Sequence, residues 1–348
     1  MSFSFEEIKA KLQLAADSRE ACDELCEVAD RVRASHLGDT VYLRGIIEFS
    51  NVCRNQCAYC GIRCANTRVK RYRMPVDEIV EAARLGKTMG CGTVVLQSGE
   101  DPFYTVPLLS EIIECIKAET GMAVTLSIGV RPWEELSALK FVGCDRYLLR
   151  FETSNEAIFN AIHPDESFAR RIQCLTDLRG LGYQVGSGFM IGIPPFLSDE
   201  TPGDRMRGTI EQIARDVLFT TQLKLQMIGC GPFLSHPDTP LAENPALENH
   251  DIYYATMALL RILNPLAHIP ATTAFDALEP SGRNRVMHGG ANIFMPNITP
   301  AAYRRQYQLY PNKPSVDDDP EVSVRRVCER LASLGRPVSA APGHSIVL

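Results

Sequence analysis

No apolar run in this sequence reaches the ~18 residues that a bilayer-spanning helix needs, so an integral helical membrane protein is not expected. A large excess of charge of one sign is also missing. The formal net charge is −6, which gives no reason to expect nucleic acid or an acidic membrane surface as a partner. The opening stretch MSFSFEEIKAKLQLAADS is amphipathic and rich in Glu and Lys, without the basic-then-apolar layout of a secretion signal. These absences lead us to expect a cytoplasmic protein. No internal repeat or low-complexity tract stands out. The 348 residues suffice for one large barrel or two medium domains.

Cysteine is what the chain has in abundance, 12 in all. A disulfide framework is not expected in a chain this long without secretion signals. Cys91, Cys115, Cys144, Cys174, Cys230 and Cys328 stand alone inside apolar patterns and read as small buried hydrophobes. Cys22 and Cys26 lie four apart on an expected helix and read as core positions rather than ligands. The remaining four crowd into the stretch Cys53 to Cys64 and need another explanation.

From about residue 5 to 36, apolar residues recur at helical spacing and predict an N-terminal helical segment. Beyond it, short β-rich runs alternate with amphipathic stretches. The expected strands are Val41–Phe49, Thr93–Gln97, Ala123–Ile128, Arg146–Phe151, Gln184–Ile191, Leu223–Ile228, Ile269–Ala274 and Ala291–Met295. Between them, Pro75–Met89, Leu108–Glu119, Phe168–Leu181, Thr209–Phe219 and Asp251–Leu263 carry helical periodicity, and a last helix over Pro320–Leu334 stops at Gly335. The strand runs are apolar on both faces, as strands buried beneath helices require. Eight strands alternating with helices predict an α/β fold, a complete (β/α)8 TIM-type barrel with an N-terminal helical extension. We expect residues 1–40 to form the helical segment, 41–311 the barrel, and 312–348 a C-terminal helix and tail packed on it. The polar interruption Pro194–Arg207 follows the fifth strand, at the barrel end where loops face an active site, and reads as a lid or a passive insertion.

The run Cys53-Arg-Asn-Gln-Cys57-Ala-Tyr-Cys60 directly follows the first expected strand, which sets it at the catalytic mouth. Three thiolates can hold three irons of a 4Fe–4S cubane and leave the fourth without a protein ligand. An open iron can be chelated by the amino and carboxylate groups of S-adenosylmethionine (SAM). One electron then cleaves the S–C5′ bond and yields a 5′-deoxyadenosyl radical. The cofactor carries the hard step and the protein binds and orients. The C-x3-C-x2-C spacing, with an aromatic before the last Cys, resembles the motif of the radical SAM superfamily. The competing reading is a zinc site built from Cys53, Cys57, Cys60 and Cys64. Structural zinc sites usually join two separated ligand pairs, and nothing beside a large core needs such a staple. Cys64 therefore reads as a bystander.

Two further features suit the same chemistry. Gln97-Ser98-Gly99-Glu100-Asp101 follows the second expected strand and resembles the superfamily's GGE-type motif, with Ser98 in place of the first Gly. Small residues and backbone carbonyls there can approach an ammonium closely. Arg150 and Glu152 lie two apart on the fourth strand and share one face, the barrel interior. Burying both is costly unless they meet charged partners, and a zwitterion such as the methionine part of SAM offers both signs. A structural Arg–Glu pair is the alternative. Thr272-Thr273 ends the seventh expected strand, where hydroxyls can bind an anion or carboxylate, although such a dipeptide is commonly only a strand pair. Met295-Pro-Asn297 is a weaker candidate for lining the cavity, and His236-Pro-Asp-Thr-Pro240 reads as a turn.

The stretch from RGIIEFSNVCRNQCAYCGIRC to VVLQSGEDPFY resembles the HydE family of FeFe-hydrogenase maturases. So do AVTLSIG, DRYLLRFETSN, GCGPFLSHPDTPLAE, IPATTAFDALEPSGR and ANIFMPNITPAAYRRQYQLYP, in family order from about Val41 to Pro311. The resemblance implies SAM contacts at Tyr59, Ser98, Thr125, Arg150, Glu152, Arg171, Met227, Tyr307 and Leu309. It implies that Thr272 and Thr273 line a substrate or anion site. It also implies a role in building the dithiomethylamine-bridged diiron centre, acting on a small molecule, an iron–carbonyl–cyanide–cysteine complex. The partners then expected are an electron donor such as flavodoxin or ferredoxin, and other hydrogenase maturases. Many members carry a second cysteine triplet after the QLYP segment. Here Cys328 stands alone in that region, so one 4Fe–4S cluster is expected and no accessory cluster. The departure leaves room for a related radical SAM enzyme of the methylornithine synthase or biotin synthase kind. A non-catalytic scaffold is disfavoured, because it has no use for the Arg150/Glu152 pair.

Overall fold

The computed structural model describes residues 2–194 and 202–347, with side chains of the helix that begins at Pro202 described from residue 208 onward. Eight parallel strands form the barrel wall: Val41–Ser50, Thr93–Ser98, Ala123–Ser127, Arg146–Leu148, Gln184–Ser187, Met227–Ile228, Pro270–Ala271 and Ile293–Phe294. Hydrogen-bonded ladders join them in chain order, and the last strand returns to the first. The remaining gap is bridged where Ile228 N–H donates to the His268 carbonyl (2.9 Å) and His268 N–H to that of Gln226 (3.0 Å). Helices such as Val76–Thr88, Val106–Thr120, Phe168–Gly180 and Asp251–Leu263 cover the outside.

Several strands are shorter than the sequence pattern predicts, for local reasons. The expected fifth strand breaks at Gly188, where a Cβ would lie 2.3 Å from the Gly229 carbonyl oxygen. Past that close approach, Met190–Ile191 leaves the barrel ladder and pairs with Gly231–Pro232. The expected sixth strand starts late, because Pro202–Gln222 is helical and Lys224 turns through a positive φ of 46°. The seventh ends at Ala271, because a short helix begins at Ala274. Of the polar interruption Pro194–Arg207, read as a lid or a passive insertion, residues 195–201 lie outside the described residues, and Pro202 onward belongs to that helix.

The expectation of strands apolar on both faces is corrected by the barrel interior. Arg44, Glu48, Arg146 and Glu152 are all buried on or just past the wall. Interior charges persist because each side chain can find backbone or charged partners there. The C-terminal tail supplies some of them. Val338–Ser339 pairs with the start of the first strand, and the chain then crosses the N-terminal end of the barrel. There the Arg146 guanidinium donates to the Pro342 (2.9 Å) and Gly343 (3.1 Å) carbonyls, to Thr93 Oγ1 and to Gln184 Oε1. Burial lowers its pKa to about 10, so it stays a cation at neutral pH.

At the other side of the fold, helices Phe5–Asp17 and Arg19–Leu37 lie over Asp251–Leu263. The first opens with a capping box, in which Ser4 N–H donates to Glu7 and Glu7 N–H to Ser4 Oγ. Asp251–Leu263 is covered on all sides, which explains why Ile252 to Leu263 are buried without exception. Cys22 is buried and points its thiol at the Asp251 carbonyl, while Cys26 is half-buried. Of the six isolated cysteines, Cys91, Cys144, Cys174 and Cys230 are buried, whereas Cys115 and Cys328 are only half-covered at the edge of the core.

Candidate functional site

The loop between the first strand and Arg73 folds around one side chain. Arg71 donates to four carbonyls, those of Asn51 (2.6 Å), Ile62 (2.8 Å), Arg63 (2.7 Å) and Asn66 (3.0 Å). Asn51 adds bonds from its amide to the Lys70 and Gln306 carbonyls. Two neighbouring segments brace the cysteines. Ala58 N–H donates to Ile162 O and Gly61 N–H to Leu309 O, both at 2.9 Å. Cys53, Cys57 and Cys60 come out half-buried, and Cys64 is exposed. Burial pushes the Cys57 thiol well above its usual range and the Cys60 thiol up to about 12, so both stay protonated until a metal displaces the proton. Among the described residues, no three Cys, His, Asp or Glu side chains gather to hold a single ion. In a cubane each thiolate binds a different iron.

The turn after the second strand lies directly against this loop. A Cβ on Gly99 would sit 2.3 Å from the Val52 carbonyl oxygen and 2.7 Å from Cys53 Cβ, so only glycine permits the approach. Glu100 N–H then points at Cys53 Sγ, 3.4 Å away. The Glu100 carboxylate is spent on Arg54 (3.1 Å) and Val130 N–H (3.0 Å), and Asp101 on Arg73 and Ser50. These two acids brace the turn. Ser98 Oγ donates to the Gly99 carbonyl.

Arg150 and Glu152 lie on the far side of the cysteines. Their charged ends stand 3.1 Å apart, yet out of line for a hydrogen bond. Arg150 Nε and Nη2, Glu152 Oε2 and Thr125 Oγ1 are all buried without a hydrogen-bond partner. Glu152 also holds a positive φ of 66°, a strained position for a residue with a Cβ. Phe189 bridges to its backbone, and the buried Asp216 accepts from Ser154 N–H just beyond it. Glu152 Oε1 takes the Tyr59 hydroxyl at 3.3 Å. Arg171 pairs with Glu166 and donates to the Arg150 carbonyl at 2.7 Å, steadying Arg150 from behind.

The remaining expected residues each have partners of their own. Tyr307 is buried, and Gln97 donates to its hydroxyl at 3.2 Å. Met227 offers its sulfur to Arg44. Thr272 Oγ1 donates to the Cys230 carbonyl, while the Thr273 and Tyr310 hydroxyls share one hydrogen bond of 2.6 Å. Asn297 binds Glu48, so the Met295-Pro-Asn297 turn holds an interior acid. His236 lies so close to Gly61 that a Cβ there would strike its ring, which makes the His236 turn a support for the cysteine loop.

Comparison with known proteins identifies the arrangement. The model of the Radical SAM superfamily matches residues 47–204. The chain is 44% identical over 326 residues to the [FeFe] hydrogenase maturase subunit HydE of Thermotoga maritima, covering 94% of this chain and 90% of that protein. It belongs to the HydE family of radical SAM enzymes. It is also 27% identical to the 3-methylornithine synthase of Methanosarcina acetivorans, over 95% of this chain and 89% of that one. In fold it matches the crystal structure of methylornithine synthase (PylB), with a TM-score of 0.82, 24% identity and coverage of 97% of this chain and 95% of that one.

Membership of the family implies a 4Fe–4S cluster and SAM, and the residues present fit both. Three thiols in one braced loop suit three irons, and the buried unpartnered atoms of Arg150, Glu152 and Thr125 suit a zwitterion. Sequence reasoning did not single out Arg71, His163, Tyr310 or the interior pair Glu48–Lys313. His163 bridges Cys57 and Tyr59, and Lys313 reaches Glu48 from the C-terminal segment. An Arg, His or Lys in a loop carries no local pattern to mark it.

Proposed function

We propose that this protein is an FeFe-hydrogenase maturase that uses one 4Fe–4S cluster on Cys53, Cys57 and Cys60. When bound, the cluster and SAM supply a 5′-deoxyadenosyl radical by one-electron cleavage. The observation that carries the reading is the buried, unsatisfied Arg150/Glu152 pair beside the cysteine loop. A purely structural ion pair would satisfy its own hydrogen bonds. A pair held out of line, on a strained backbone, is prepared for a zwitterionic ligand: Glu152 for the SAM ammonium, Arg150 for its carboxylate. Thr125 Oγ1 can add a bond to the same ligand. Tyr59, Ser98, Met227, Tyr307 and Leu309 then line the cofactor, and Arg171 holds Arg150. A flavodoxin or ferredoxin supplies the electron.

The substrate site lies around Thr272, Thr273 and Tyr310, and an iron–carbonyl–cyanide–cysteine complex is the proposed occupant, in a pathway shared with the other maturases. Two hydroxyls sharing one hydrogen bond leave one O–H free for such an anion. Cys328 is alone on its helix, so no accessory cluster is proposed. Complementation tests the reading: the chain should restore hydrogenase activity to a strain lacking its own HydE. Failure, with SAM cleavage intact, would favour an amino-acid mutase related to methylornithine synthase.

A further inference from the structure

We propose that His163 is a positioning residue that donates its Nδ1–H to the Cys57 thiolate, raises the reduction potential of the cluster, and ties it to the SAM-binding carboxylate. The proposal rests on the reading of Cys53, Cys57 and Cys60 as cluster ligands. His163 Nδ1 lies 3.3 Å from Cys57 Sγ, and Nε2 lies 3.3 Å from the Tyr59 hydroxyl. A cysteine that binds iron has lost its proton, so the hydrogen in the first contact must sit on Nδ1. Nε2 is then the acceptor, and the Tyr59 hydroxyl turns toward it. Glu152 Oε1, otherwise the Tyr59 partner, is thereby released for the cofactor, joining the already unpartnered Oε2. Metal binding at Cys57 and the readiness of Glu152 are linked through one ring.

The ring is fixed for this task. Its plane stacks on Phe159 (centroids 4.5 Å apart, 21° between planes) and meets Tyr59 edge-on. It is 3% exposed, so water does not compete for either nitrogen. The backbone around it grips the same loop: Ile162 O accepts from Ala58 N–H, and Asp165 accepts from Gln56 N–H at 2.8 Å. Cys57 therefore cannot drift from the imidazole. A hydrogen bond to a ligating sulfur draws off electron density and favours the reduced cluster, which makes the potential less negative.

The test is an EPR-monitored redox titration of the reconstituted full-length protein, with iron content measured alongside. His163→Leu with a full complement of iron should show a more negative potential than wild type. His163→Asn, whose amide can replace Nδ1–H, should recover most of the difference. An unshifted potential in a fully loaded His163→Leu overturns the proposal and leaves the cluster reading intact, whereas wild-type protein that binds no iron overturns the cluster reading itself. Should His163→Leu fail to assemble, wild-type protein labelled with 15N at histidine decides the matter. Pulsed EPR of its reduced cluster should show a 15N coupling that His163→Asn lacks, and absence of that coupling in wild type overturns the proposal.

Discussion

Lys313 reaches back into the barrel and places its ammonium against the Glu48 carboxylate, with the two side chains only 7% and 4% exposed. Asn297 donates to the other Glu48 oxygen at 2.9 Å, and Lys313 also donates to the Tyr307 carbonyl at 3.1 Å. The pair therefore fastens the segment after Tyr310 to the first strand and holds the backbone at Tyr307, a proposed cofactor contact. Breaking one side should be much worse than removing both. Lys313→Met leaves a buried carboxylate without its cation and should cost ~3–5 kcal/mol, whereas adding Glu48→Gln should return most of that loss. Urea unfolding of the two variants measures the difference. Equal stability of the single and double variants would show that the unpaired Glu48 carboxylate carries no such penalty.

The cluster prediction separates ligands from bystander. Protein reconstituted without oxygen should be brown and bind about four irons. Cys53→Ala, Cys57→Ala and Cys60→Ala should each abolish this. Cys64→Ala should not, because Cys64 is exposed and its N–H is tied to the Asn55 carbonyl. Cys328→Ser should leave iron content unchanged. Residual iron–sulfur EPR signal in the triple alanine variant would point to a second cluster.

The SAM site makes its own demand. Arg150→Ala and Glu152→Gln should each weaken SAM binding by ~1–3 kcal/mol, since each removes one charge-assisted partner. Arg171→Ala should act indirectly, through loss of the bond to the Arg150 carbonyl. Equilibrium binding to the reconstituted enzyme tests all three, and unchanged affinity in the first two would make the pair structural.

The barrel was legible in the sequence because strand and helix periods alternate plainly from Val41 onward. Strand ends were not, since the break at Gly188 depends on how close Gly229 passes, and that contact leaves no periodic trace. The cysteine motif was legible because its members are contiguous; the Arg150/Glu152 pair was singled out as two residues on one strand face, whereas both lie past the strand end at Leu148 and Glu152 turns through a φ of 66°. His163 lies 106 residues from Cys57, and Lys313 lies 265 from Glu48. Nothing local marks either, and their roles exist only once the barrel closes.

Asp216 supplies a pH prediction. Burial raises its carboxyl to about 7 from an ordinary 3.8, although Ser154, Gln212 and Thr153 donate to it. The folded form thus holds this proton more tightly than the unfolded chain does. Its contribution to stability is full below pH ~3.8, falls as pH rises toward 7, and changes no further above that. Every one of those donors meets Oδ1, which an asparagine keeps. Asp216→Asn should therefore gain stability relative to wild type as pH rises from 5 to 7, by a few kcal/mol, with a constant difference above. Urea unfolding at each pH checks the divergence; parallel curves would mean that Asp216 stays ionised throughout.

The last prediction concerns which hydroxyl handles the substrate. Thr272 spends its proton on the Cys230 carbonyl, so Thr272→Val should chiefly leave that buried acceptor unsatisfied, at a cost of ~1–3 kcal/mol in stability. Thr273 and Tyr310 differ. Their shared hydrogen bond needs one proton, and the second O–H can turn toward a ligand. Removing either hydroxyl leaves the survivor to face the ligand alone, so Thr273→Val and Tyr310→Phe should each weaken function, and the double variant should lose it. The cysteine loop and the Arg150/Glu152 pair are untouched, so SAM cleavage by the reduced enzyme should persist in all of these variants. The decisive comparison is hydrogenase activation in a complemented strain against 5′-deoxyadenosine release by the purified protein. Full activation by the Thr273→Val/Tyr310→Phe double variant would exclude a substrate-anchoring role for this pair. Loss of both activities together would place the two hydroxyls in the SAM wall rather than beneath it.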